Sequence, residues 1–195
     1  MTRRLRIGLL IVMAAARQGL AQGMLPAAPA PSTATPTAVM IGLPVPDTVT
    51  LRDDGILRPL TSYKTALDVL VVGFWSARCP DQDAERHRLR RFYQKYRDWR
   101  VAFVVINEGP PASMEDLSAS LRREGMTLSV VQDPGHAAAN AMQVQAVPTY
   151  LILDESKILR YRGDLAHAAR ALDAVVGHTE PVPQGEVAVT GGCAL

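Results

Sequence analysis

Phe74-Trp75-Ser76-Ala77-Arg78-Cys79-Pro80-Asp81-Gln82-Asp83-Ala84-Glu85 is the stretch on which the reading of this 195-residue chain turns. It follows an apolar run from Leu67 to Phe74, interrupted only by Asp68, of the kind that forms a buried strand. Beyond it, Leu89, Phe92, Tyr93 and Tyr96 recur at i, i+3, i+4 and i+7, which predicts a helix over about Pro80 to Arg97 with one apolar stripe. Pro80 then falls at the first helical position, where a missing N–H costs nothing. Cys79 therefore sits where a strand hands over to a helix. The partial positive charge and unpaired N–H groups of a helix N-terminus favour a thiolate there, which makes Cys79 a candidate nucleophile. Arg78 acts in the same direction, while Asp81, Asp83 and Glu85 oppose it.

Working outward, Val69 to Trp75 reads as a central strand and Val101 to Ile106 as a second continuous apolar strand of the parallel, doubly covered kind. Upstream, Val49–Leu51 and Ile56–Leu60 flank the turn signal Asp53-Asp54-Gly55. Pro44, Pro46 and Pro59 argue that neither of these short strands is central. Downstream, Ser113 to Glu124 is a predicted helix with Ser113 as N-cap and Gly125 at its end. Thr127–Val131 is a further strand, His136–Met142 a small helix begun by Asp133-Pro134-Gly135, and Gln143–Val147 a connector. Thr149–Leu153 and Ile158–Tyr161 make a hairpin, and Asp164 caps a last helix, Leu165 to Val176. The order is that of an α/β fold, a central mixed β-sheet with helices on both faces.

Composition bounds the possibilities. A net charge of +2 is too balanced to argue for nucleic acid or an anionic membrane as the general partner, although Arg86, Arg88, Arg90, Arg91, Lys95, Arg97 and Arg100 crowd the segment after the cysteine. At the N-terminus, Arg3, Arg4 and Arg6 precede the apolar run Ile7 to Ala16 and the small-x-small site Gly19-Leu20-Ala21, the pattern of a signal peptide over residues 1–21. Ten apolar residues are too few to span a bilayer, so no stable membrane span is expected after cleavage. Residues 22–39, rich in Pro, Ala, Ser and Thr, read as a flexible tether. The folded domain is expected over residues 40–177, followed by a Pro/Gly-rich flexible tail, 178–195, that carries Cys193. Export, most simply to a periplasm, would put Cys79 and Cys193 in an oxidising compartment.

Phe74-Trp75-Ser76-Ala77-Arg78-Cys79-Pro80, Val147-Pro148-Thr149-Tyr150 and Ile158-Leu159-Arg160-Tyr161-Arg162-Gly163 together resemble the thioredoxin superfamily, specifically its redoxin branch of TlpA/ResA-like and AhpC/TSA, or peroxiredoxin-like, proteins. The similarity runs from about Ile41 to Val176. It implies a thioredoxin-like three-layer sandwich in which Pro148 is cis beside the nucleophilic Cys79, while the backbone of Val147 pairs with an incoming disulfide substrate. It further implies a binding surface of Trp75, Arg78, Pro80, Val147 and Thr149.

Two departures qualify what the resemblance implies. Gln82 stands where the second cysteine of a CxxC pair would fall, so the ordinary dithiol cycle is absent. In the peroxide-site pattern Pro-x-x-x-Thr/Ser-x-x-Cys, Ser76 supplies the hydroxyl but Val72 replaces the proline, and Arg160 or Arg162 is the candidate arginine. Cys193 is the candidate to replace the missing thiol. About sixteen residues beyond Gly177, extended, reach roughly 50 Å, so distance is no obstacle. It is a resolving thiol, a permanent crosslink to Cys79, or unpaired.

No cofactor is called for. His87, His136, His167 and His178 lack paired metal spacing, and the Cys-x-x-x-Cys of copper-delivery relatives is absent. The expected function is an exported thiol-dependent oxidoreductase whose Cys79 attacks a disulfide or a peroxide. Ser76 is the candidate hydroxyl donor, Pro148 shapes the site, Cys193 is the candidate resolving thiol, and the partners are a thiol or disulfide protein, or a small peroxide, and an external thiol reductant. The alternative is a thioredoxin-fold binding or assembly module with little turnover at Cys79.

Overall fold

The computed structural model describes residues 38–64, 68–76, 78–80, 82–177, 185–186 and 192–195. The expected signal peptide and all but the last two residues of the expected tether lie outside them, as do Ala77, Asp81 and most of the segment after Gly177. The elements, in chain order, are β1 (Thr50–Asp53), β2 (Ile56–Pro59), β3 (Val69–Trp75), α1 (Gln82–Tyr96), β4 (Val101–Asn107), α2 (Ala112–Arg123), β5 (Ser129–Gln132), α3 (Ala137–Ala141), β6 (Ala146–Val147), β7 (Thr149–Leu153), β8 (Leu159–Gly163), α4 (Leu165–Val176), β9 (Gly185–Glu186) and β10 (Cys193–Ala194).

One mixed sheet runs in the order β2-β1-β5-β4-β3-β7-β8-β9. At its centre, β3 is parallel to β4 and antiparallel to β7, with every residue from Val69 to Trp75 buried. Coverage on both faces is why this strand is a continuous apolar run rather than an alternating one. Leu70, Val72 and Phe74 point into a core shared with α3 and the segment Val39 to Val49. Val69, Val71 and Trp75 point into a second core filled by α1, α2 and α4. The result is the three-layer α/β sandwich that the order of elements predicts. Gly73 is a point of close packing. A Cβ there would lie 3.0 Å from the Tyr150 ring, which crosses it from the opposing position on β7.

The arginine-rich helix α1 is partly consumed by ties to its neighbours. Arg86 Nε pairs with Glu124 after α2 at 2.6 Å, and Lys95 Nζ pairs with Asp173 of α4 at 3.0 Å, with the Tyr96 hydroxyl donating to the same carboxylate at 2.7 Å. Its buried stripe is Leu89, Phe92, Tyr93 and Tyr96, as the periodicity requires. At α4, Asp164 accepts the His167 backbone N–H at 2.9 Å, the expected N-cap bond.

Several expectations need correction. Helix α1 begins at Gln82, not Pro80. The Cys79 N–H turns back to Ser76 O at 3.2 Å and the Cys79 carbonyl is taken by the Gln82 side chain at 2.9 Å, so residues 78–80 form a turn. Ser113 is not the N-cap of α2. Pro111 holds that position, and the Ser113 hydroxyl bonds the Pro110 carbonyl at 2.7 Å from within the first turn. The proline-bearing β2 is an edge, but β1 has neighbours on both sides, meeting β5 through Arg52 and Gln132. The connector Gln143–Val147 contains strand β6. The expected loose tail is instead attached at two places: β9 lies parallel on β8, and β10 lies antiparallel on β6.

Candidate active site

The site forms where β3 ends, at the edge of the sheet to which the parallel strands β3, β4 and β5 all point their C-terminal ends, the usual location for function in an open α/β sheet. Trp75, Ser76, Cys79, Pro80, Gln82, Glu85 and Pro148 line a shallow recess there. The Val147–Pro148 peptide is cis. Cys79 is half-buried and disulfide-bonded to Cys193, with the two Cα atoms 5.7 Å apart, inside the usual range for such a bridge.

The arrangement around that bond is unlike a simple crosslink between loops. Cys193 lies directly opposite Val147 and Ala194 opposite Ala146 in an antiparallel pair. Leu195 extends the pairing, its N–H donating to Gln145 O at 3.2 Å. The segment that carries the second sulfur therefore runs as a strand along the backbone just before Pro148. Cys79 Sγ lies 3.5 Å from the Val147 carbonyl on the same strand.

Each sequence-predicted residue can now be placed. Trp75 is buried on the recess wall, and its indole N–H finds no acceptor among the described residues. Ser76 is half-buried, and its hydroxyl accepts the Arg78 backbone N–H at 3.3 Å. Arg78 and Pro80 are exposed beside Cys79. Thr149 is buried at the start of β7, its hydroxyl donating to Ala146 O at 2.5 Å and so fixing the loop around Pro148. The two arginines considered for a peroxide site are held elsewhere. Arg160 pairs with Asp154 at 2.7 Å, and buried Arg162 donates to Val39 O at 2.9 Å. Among the described residues no group of three His, Cys, Asp or Glu is disposed to hold a metal ion.

Sequence reasoning missed two acidic features near the recess. Glu85 is a buried recess residue, paired with Arg88 at 2.8 Å and facing the Tyr150 hydroxyl. Burial first and the Glu85 charge second push the Tyr150 phenol well above its ordinary range. The signal was present: Glu85 lies three residues after Gln82, on the same helix face as the position of the missing cysteine. The second is Glu108, directly after β4, whose backbone N–H donates to Trp75 O at 2.7 Å. Its side chain is wholly covered, with Oε2 2.5 Å from His136 Nδ1. Burial, then the charge of Asp133, push this carboxyl up to about 7 against the opposing pull of His136. Asp133 is raised as well, by burial, although both its oxygens accept N–H bonds from Ala138 and Ala139 at the start of α3. No regular spacing in the sequence links Glu108 to His136, because the two meet only through the pairing of β4 with β5.

Comparison with known proteins agrees with the fold. The sequence model of the AhpC/TSA family matches residues 41–162. No curated protein matches the chain. Among solved structures, a hypothetical protein from Sinorhizobium meliloti superposes with a TM-score of 0.66 at 24% identity, covering 81% of this chain and 94% of its own. An uncharacterised conserved protein from Geobacillus kaustophilus gives 0.64 at 22% identity, covering 82% and 91%. A proposed thiol:disulfide interchange protein DsbE from Chlorobium tepidum gives 0.51 at 18%, covering 64% and 85%. These three share the fold.

Proposed function

The chain belongs to the AhpC/TSA family, and from that premise we propose that it is an exported thiol–disulfide oxidoreductase that uses Cys79 as nucleophile and Cys193 as the resolving thiol. The observation that carries this reading is the strand pairing of Cys193 with Val147 next to cis Pro148, with its sulfur on Cys79. A peptide sulfur presented in this way occupies the position of a substrate sulfur. In the reduced protein the Cys79 thiolate attacks one sulfur of a substrate disulfide, and the other leaves as a thiolate that takes a proton. Cys193 then gives up its proton and attacks the Cys79 sulfur, releasing the second substrate thiol and leaving the Cys79–Cys193 bond. The substrate gains two electrons, which an external thiol reductant returns to the protein.

Disulfide chemistry is favoured over peroxide reduction for two reasons. Val72 stands where the peroxide-site pattern has a proline, and Arg160 and Arg162 are tied to Asp154 and Val39. Export is supported by the N-terminal signal pattern and by a disulfide of a kind uncommon in reducing compartments.

Intact-mass analysis after addition of one equivalent of a model disulfide to the reduced protein tests the reading. The wild type is expected to lose two hydrogens, with no adduct at the end point. Cys193→Ser is expected to stop at a mixed disulfide on Cys79, and Cys79→Ser to be inert. Equal inertness of wild type and Cys79→Ser would leave a binding or assembly module as the better description.

A further inference from the structure

The pairing of β10 with β6 raises a difficulty for the cycle just described. In a CxxC pair the resolving thiol lies one turn along the helix from the nucleophile, so it attacks while the substrate stays docked. Here that position is Gln82, and its amide is spent on the Cys79 carbonyl. The resolving thiol reaches Cys79 from the opposite side, on a strand that claims the backbone of Val147, Ala146 and Gln145. A polypeptide substrate bonded to Cys79 through its own cysteine would claim the same backbone, since β3 and β7 beside the recess already have strand neighbours on both sides, whereas β6, which ends next to Pro148, pairs among the described residues with β10 alone.

Resting on the assignment of Cys79 and Cys193 above, we infer that the two strands are mutually exclusive and that the protein therefore distinguishes substrates by whether they bring a strand. A small disulfide leaves β6 empty after it reacts, so β10 docks and Cys193 attacks at once. An extended polypeptide must first release β6 while still covalently held. Only then does the Cys193 thiolate form its bond to the Cys79 sulfur, break the Cys79–substrate bond and send the electron pair out on the substrate sulfur, which takes up a proton. Polypeptide adducts on Cys79 are thus long-lived, and small-thiol adducts are not. Two lost backbone hydrogen bonds at a typical net strength slow the exchange by about tenfold to thirtyfold. The seated segment also defines the preferred partner: a cysteine followed by a small residue, because Ala194 stands against Ala146, and then by a residue with a free N–H, as Leu195 donates to Gln145.

The test uses the reduced full chain and pyridyl mixed disulfides of three thiols: cysteamine, the peptide Gly-Cys-Ala-Leu, and the peptide Gly-Cys-Ala-Pro. Release of the pyridine thione reports attack by Cys79, and acid-quenched mass spectrometry reports loss of the adduct to Cys193. All three are expected to load Cys79. The cysteamine adduct should resolve about tenfold to thirtyfold faster than the Gly-Cys-Ala-Leu adduct. Gly-Cys-Ala-Pro, which lacks the N–H that Leu195 uses, should recover a several-fold part of that difference. Resolution of all three adducts within twofold of one another overturns the inference while leaving the roles of Cys79 and Cys193 intact. Failure to release pyridine thione with any of the three would instead overturn Cys79 as the nucleophile, and the inference with it.

Discussion

Replacing Glu108 by Gln should remove most of the dependence of stability on pH in the neutral range. The side chain is wholly covered, lies 2.5 Å from His136 Nδ1, and its carboxyl is held up to about 7 from an ordinary value of 4.5, by burial first and by Asp133 second. A raised carboxyl value means that the folded state binds the proton more tightly than the unfolded chain. The associated stability is fully present below about 4.5 and is lost as pH rises through about 7. For an isolated group a difference of this size is worth about 3 kcal/mol. Asp133 and His136 act on the same proton, so the part that belongs to Glu108 alone is smaller, on the order of 1 kcal/mol. Urea unfolding of the oxidised protein at several pH values between about 5 and 8, at constant ionic strength, should show the wild type weakening by roughly that amount across the range. Glu108→Gln should be nearly flat, and more stable than wild type at the alkaline end. Parallel curves for the two proteins would show that Glu108 does not hold a proton in the folded state, and the account of this cluster would fail.

Two further outcomes follow from packing and from the crosslink. The Cys79–Cys193 bond spans a sequence separation of 114. In the chain-entropy model a loop of that size stabilises the fold by about 4.8 kcal/mol. Denaturant unfolding of Cys193→Ser beside the oxidised wild type should show a loss approaching that figure, and a difference below about 1 kcal/mol would mean that the closed loop does not constrain the unfolded chain. Gly73→Ala drives a methyl to 3.0 Å from the buried Tyr150 ring and should cost about 1 to 3 kcal/mol, with a change in the near-ultraviolet tyrosine signal; an unchanged midpoint would show that the ring has room to move.

The parts of the fold legible in the sequence are those governed by local periodicity and by residues with a single structural meaning. The unbroken run Val69–Trp75 announced a strand covered on both faces, the stripe Leu89, Phe92, Tyr93, Tyr96 announced the packed face of α1, and Asp164 announced its cap. The hairpin β7–β8 was legible for the same reason. What escaped depends on contacts across long separations. Nothing in Gln145-Ala146-Val147 or in Cys193-Ala194-Leu195 has strand character on its own, and the two become strands only because they meet. The start of α1 was misplaced because Pro80 suits a first helical position in general, whereas here the Gln82 side chain captures the Cys79 carbonyl first. At the candidate site, position and type were visible in Cys79, Pro148 and Gln82. Glu85 was read only as one of three acids that oppose a thiolate at Cys79, because its burial is set by Tyr150 and Arg88, residues that sequence order does not bring together on its own.

The two residues of β9 have a kinetic meaning that their size conceals. Gly185–Glu186 runs beside Tyr161–Arg162 at the edge of the sheet, which anchors the chain between α4 and Cys193 part-way along. From that anchor, seven peptide steps to Cys193 span at most roughly 25 Å when fully extended. While β9 holds, the second sulfur is on a short leash. Breaking its bond to Cys79 frees it to move aside but not to leave, and its local concentration at Cys79 stays near the millimolar level typical of short tethers. Dilution of the protein therefore leaves the rate of closure unchanged, and an external monothiol has to exceed that local concentration to keep Cys79 occupied. Loss of the β9 pairing would lengthen the leash to all the residues after Gly177 and give that competitor its opening.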